Sequence, residues 1–267
     1  MADPRPPILD TFLAEQLAAA LGRPASLAVL AAVAGAFVLG GVVKGLLGVG
    51  LPLVVVPLLA LVIPSPKAIA LMGLPILVSN VFQSLDGGHV RYALRRFAWL
   101  LVPMVVMTAL TVRFTLGLPV RTLNMFVACA LLLAVALMAW NPKLDIDAGG
   151  ERRWGLAVGT LSGLMGGVSS LMGPLVITYL VALRLDRERF IGSISVIYLL
   201  GALPLFGSMA LLGVLGLPEA VLSGLALAPM FGGMALGKRM RHRVGEQGFR
   251  RLLLVFLVIV ATLLLTR

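Results

Sequence analysis

The chain reads as an all-α, polytopic membrane protein built from two inverted repeats of five hydrophobic segments each. Three observations predict this. Of its 267 residues, 60% are hydrophobic and 12% charged, and the mean hydropathy is +1.06. Apolar runs recur along the whole length, without the short apolar/polar alternation that a barrel needs. A glycine-rich interruption also appears once in each half: KGLLGVGLPL at 44–53 and SGLMGGVSSLMGPL at 162–175.

Residues 1–26 carry Asp, Glu and Arg and form an extramembrane or amphipathic segment. The stretch ILDTFLAEQLAAAL reads as a short surface helix, and no cleaved signal peptide is expected. The first membrane repeat, 27–140, divides into segments a (27–47), b (51–63), c (67–86), d (96–117) and e (120–140). A polar linker, NPKLDIDAGGERR at 141–153, precedes the second repeat, 154–267. That repeat divides into a′ (154–166), b′ (171–184), c′ (189–213), d′ (216–237) and e′ (248–266). Segments b, a′ and b′ are short, since thirteen helical residues span about 20 Å against a hydrocarbon core of about 30 Å. They are either re-entrant half-helices or spans completed by irregular backbone. At that depth irregular backbone must be buried in protein or line a cavity. Glycine's backbone entropy and proline's missing N–H both oppose an unbroken helix through these runs. Paired breaks of this kind point to a transporter site.

Charge sets the expected orientation. With the c–d loop in the cytoplasm, the loops on that side hold fifteen Lys and Arg and the opposite side holds six. The positive-inside rule then places both termini in the periplasm and the 141–153 linker in the cytoplasm. The net charge of +11 therefore reflects topology and not nucleic-acid binding. Cys129 is the sole cysteine and lies in an apolar run. His89 and His242 fall in basic loops, so no metal site or cofactor is expected.

Lys44 is the one Lys or Arg of the 22 that the charge count assigns to neither side, and it lies within segment a. Two readings are open: contact with an anionic ligand, or snorkelling to the cytoplasmic interface. Gly48 and Gly50 in the first break, and Gly166 and Gly167 in the second, either permit close helix packing or leave N–H groups free for an anion. Ser169 and Ser170 lie inside the second break. Asn80 and Gln83 share one side of segment c, and Ser193 and Tyr198 are their counterparts in c′. These eleven residues form the expected substrate site. All eleven acidic residues lie near segment ends or in loops, so no midplane carboxylate proton carrier is visible.

Over roughly residues 27–266 the chain resembles the sulfite exporter TauE/SafE family of membrane permeases. The resemblance rests on Gly45, Gly48, Gly50, Pro52 and Pro57, on the turn at Pro64, Pro66 and Lys67, on Ser162–Leu175, and on Leu185–Ser193. The chain departs from the family at Leu51, where another glycine is frequent, and at the inserted pair Ser169 and Ser170. The resemblance implies a transporter in a bacterial inner membrane exporting sulfite or a small organosulfonate such as sulfoacetate. Alternating access around the two breaks would move the anion, the lipid bilayer would be the protein's surroundings, and a homodimer is one assembly open to it. The competing classes are an intramembrane enzyme and a structural membrane subunit. The first lacks a membrane-depth His, a G-x-S-G or H-E-x-x-H motif and a pair of intramembrane Asp residues. The second gives no reason for paired breaks.

Overall fold

The computed structural model describes residues 8–86, 88–115, 117–140, 145–147, 149–240 and 246–266. Part of the 141–153 linker, His242, and the basic residues Arg5, Lys143, Arg241, Arg243 and Arg267 of the charge count lie outside them. The described residues form helices and connecting turns, with no strand among them.

Segments a and e are realised at the expected bounds as α2 (Leu27–Leu47) and α8 (Val120–Trp140), following the N-terminal α1 (Ile8–Leu21). Ser26 starts α2 as its N-cap, its hydroxyl accepting from the Val29 N–H at 3.3 Å. Segment b is α3 (Leu51–Ala60). Segment c is divided into α4 (Ser65–Ala70) and α5 (Gly73–Asp86). A short helix, α6 (Val90–Arg96), occupies the c–d connection ahead of α7 (Ala98–Thr115). In the second half, a′ and b′ are α9 (Glu151–Ser169) and α10 (Gly173–Ala182). Segment c′ is α11 (Arg187–Leu211), d′ is divided into α12 (Leu217–Leu225) and α13 (Leu227–Met240), and e′ is α14 (Glu246–Leu265). Asp186 caps α11 by accepting from Arg189 N–H at 2.9 Å.

Two expectations need correction. Segment a′ is not a thirteen-residue stub. Its helix runs through 163–167 and has 19 residues, about 28 Å long. The glycines there are helical because a close partner, α7, compensates their entropy cost. A Cβ added to Gly163 would lie 2.8 Å from Met107 Cβ, and one on Gly167 would lie 2.7 Å from Thr111 Cβ. In addition, α1 does not lie wholly at a surface: Ala20 and Leu21 are fully buried, and the helix packs on α12 and α4. Segments b and b′ are short as expected, ten residues each, or about 15 Å.

Six helical stretches among the described residues are long and apolar enough to cross a membrane. Their packing partnerships recur with the halves exchanged. Helix α2 pairs with α13, and α9 with α7. Helix α5 pairs with α11, and α8 with α14. Helix α3 touches α14, and α10 touches α8. A Cβ added to Gly45 of α2 would lie 3.0 Å from Gly237 Cα of α13, so this long pair, like α7 and α9, rests on small residues.

The connections gather into two rims. At the first, Arg23 Nη1 donates to Val62 O at 2.7 Å, Lys67 pairs with Glu219, and Ser65 bonds Asn124. At the second, Arg96 holds Glu151 through two hydrogen bonds, 2.7 and 3.0 Å long. Arg184 pairs with Asp145 at 2.7 Å, and Ile146 N–H reaches Ala182 O at 3.3 Å.

Candidate anion site between two helix breaks

Helix α2 ends because Gly48 turns left-handed, at φ 83°, with its N–H donating to Lys44 O at 2.8 Å. Gly50 is left-handed too, at φ 100°. Helix α3 then starts with Pro52 in its first turn. Backbone of this kind favours glycine because a Cβ would crowd the following carbonyl. The second break uses a different residue. Ser170 takes the left-handed conformation at φ 61°, its N–H bonding Gly166 O at 2.9 Å, and α10 starts at Gly173 with Pro174 following. Ser170 thus occupies the place in the second half that Gly48 occupies in the first.

The breaks meet. Residues 50–53 and 170–173 face one another across a cavity of about 20 Å³, which Lys44, Ile76, Asn80, Tyr198, Ala202 and Leu205 complete. That volume holds roughly one or two waters, so the space is narrow. The first N–H groups of α3 and α10 have no acceptor within their own helices, and both helices begin at this cavity with the positive ends of their dipoles. Tyr198 closes over the second start: a Cβ on Gly173 would lie 2.6 Å from Tyr198 Oη.

Lys44 does not snorkel. It is 4% exposed, and its Nζ donates to Asn80 Oδ1 at 2.7 Å. No carboxylate pairs with it among the described residues. It borders the small cavity and also a vestibule of about 590 Å³, and so stands at their junction. The vestibule lies between α2, α5, α11 and α13. It is bordered by Gly48, Ser79 and Gln83, by Phe82 and Phe231, and at its outer end by Glu188 and Lys238. Phe82 and Phe231 meet edge to face with ring centroids 6.1 Å apart. Gln83 Nε2 donates to Gly48 O at 2.9 Å, tying α5 to the first break, while its Oε1 is buried without a partner.

Of the eleven expected site residues, Lys44, Gly50, Asn80, Ser170 and Tyr198 come together around the small cavity, and Gly48 and Gln83 border the vestibule. Ser170 Oγ is buried and unpartnered there. Four lie elsewhere. Gly166 faces Met172, 2.9 Å from where its Cβ would stand. Gly167 packs on α7, its carbonyl accepting from Thr115 Oγ1 at 3.1 Å. Ser169 Oγ is occupied by Met165 O at 2.8 Å and by Leu171 N–H at 3.3 Å. Ser193 is fully buried outside both spaces. Gly166 and Gly167 therefore sit inside a helix, about one turn before the break, while Gly173 begins α10 beyond it. Sequence reasoning missed Leu171 and Met172, though they stand within the quoted motif. It also missed the vestibule residues Phe82, Phe231 and Lys238, which carry no local signal.

The family model for "Sulfite exporter TauE/SafE" matches residues 32–264, nearly the whole chain, and the chain belongs to that family. No curated protein and no solved structure matches it. The chain is accordingly a multi-pass membrane protein of a family that transports sulfur-containing anions.

Proposed function

For this member of the TauE/SafE family, we propose export of sulfite or a small organosulfonate such as sulfoacetate across a bacterial inner membrane. The observation that carries the reading is Lys44: a buried ammonium with an amide partner and no carboxylate among the described residues, beside two helix starts. An uncompensated charge at such depth is expensive, about 3 kcal/mol on insertion scales, and an anion beside it offsets that cost. The oxygens of a sulfite or sulfonate can accept from Lys44 Nζ, Ser170 Oγ, Tyr198 Oη and first-turn N–H groups together.

The second rim carries the Arg and Lys excess and is the cytoplasmic one on the positive-inside rule, with both termini periplasmic. Glu188 and Lys238 give the vestibule its outer end at that rim. The anion enters there, reaches Lys44 and passes between the breaks. The exchanged partnerships of 27–140 and 154–267 support an inverted repeat, with alternating access around the breaks. Helix α7 packs along α11, whereas the corresponding pair α5 and α13 flanks the vestibule. Closing the second pair and parting the first gives the opposite state.

The experiment is flux in proteoliposomes carrying the purified, inserted protein. Saturable movement of sulfite or sulfoacetate, lost in Lys44→Ala, supports the reading. Absence of flux for both anions sinks it.

A further inference from the structure

We propose that α6 and the start of α7 form a binding site for an anionic phospholipid headgroup at the second rim. Arg91, Tyr92, Arg95 and Arg96 line a shallow, open cleft on the outside of the molecule. Arg96 is engaged: Glu151 takes its guanidinium through two hydrogen bonds, and Tyr92 bonds it as well. Arg91 and Arg95 are exposed and have no carboxylate partner among the described residues. Arg189 also approaches, its guanidinium 5.5 Å from the Tyr92 ring centre, but it is paired with Asp186 at 3.2 Å and leaves the phosphate to Arg91 and Arg95. Two free guanidiniums over one cleft match the paired oxygens of a phosphate.

The surroundings commit the phosphate to a membrane source. Leu94, Trp99 and Trp154 are exposed beside the cleft, and Arg152 stacks on Trp99 at 3.6 Å. Exposed Trp with Arg marks the level where acyl chains meet headgroups. A lipid can set its chains against Leu94 and Trp99 while its phosphate meets Arg91 and Arg95. A soluble phosphate gains nothing from the apolar part.

Native mass spectrometry of the detergent-purified chain tests this, with phosphatidylglycerol and phosphatidylcholine of matched acyl chains offered together. Phosphatidylglycerol is expected to be retained about tenfold more than phosphatidylcholine. Arg91→Gln with Arg95→Gln removes the preference, and Arg113→Gln with Arg121→Gln, at the first rim, preserves it. A surplus of glycerol phosphate does not displace the lipid. Equal retention of the two lipids, an unchanged preference in the Arg91/Arg95 variant, or displacement by glycerol phosphate overturns the proposal.

Discussion

Lys44 and Gly50 carry the sharpest consequences for single residues. Replacing Lys44 with Ala removes a buried charge that no described carboxylate balances, so the protein is expected to insert and fold at least as well as the parent. Its affinity for sulfite is expected to fall roughly 10- to 100-fold, the range of a lost charged hydrogen bond. Lys44→Arg is expected to be intermediate, because the guanidinium keeps the charge but changes the size and donor geometry at Asn80. Calorimetric binding together with thermal unfolding checks both halves of this prediction, and unchanged affinity in Lys44→Ala counts against the site. Gly50→Val places a branched side chain at φ 100°, with its Cβ 3.2 Å from Val43 Cγ1, at an expected cost of about 1–3 kcal/mol. Flux is expected to vanish while insertion persists. Gly35→Val, where a Cβ meets nothing within 4 Å, is expected to transport like the parent.

The elements separate two kinds of glycine that look alike along the chain. In the first break, Gly48, Gly50 and Pro52 within five residues signalled an interrupted helix, and Gly48 and Gly50 turn left-handed there. In the second, the densest glycines, Gly163 to Gly167, lie in unbroken α9, and a serine makes the turn. Glycine serves both breaks and close contacts in membrane helices, so spacing alone does not distinguish them. Which role applies depends on α7, more than fifty residues away. The pairing of Lys44 with Asn80 was legible as two polar residues in apolar spans, but their contact needed the tertiary packing. The structure changes what Gly167→Val should do. A Cβ 2.7 Å from Thr111 and 3.0 Å from Thr108 O overpacks the α7–α9 interface, costing about 1–3 kcal/mol. Gly167→Val is therefore expected to lower the unfolding temperature, with any loss of flux following the loss of folded protein. Gly50→Val is expected to lose flux in folded protein. Thermal unfolding measured beside flux for both variants distinguishes them. A Gly167→Val protein of parental stability that does not transport would return Gly167 to the site.

At the scale of the molecule, the account needs two rims facing opposite compartments. The alternation of segments and the loop charges lead to that expectation, and within each rim the contacts of Arg23, Arg96 and Arg184 tie neighbouring connections together. The vestibule itself was not legible, because it arises from packing between halves, whereas the division of c and d′ falls three to four residues before Pro75 and Pro229, whose missing N–H groups interrupt the helix. With Cys129 replaced, a cysteine at Arg23 is expected to react with a membrane-impermeant maleimide added to intact cells, and one at Gly149 only after lysis. The reverse pattern would invert the orientation.

The central claim is that an anion sits between the two breaks beside Lys44. Selenite shares the pyramidal shape of sulfite and scatters anomalously. A crystal structure with selenite at saturating concentration is expected to show one strong selenium peak between residues 50–53 and 170–173, within hydrogen-bond reach of Lys44 Nζ. The peak should vanish in Lys44→Ala. Selenium only at the surface, or an undiminished peak in Lys44→Ala, would contradict the account.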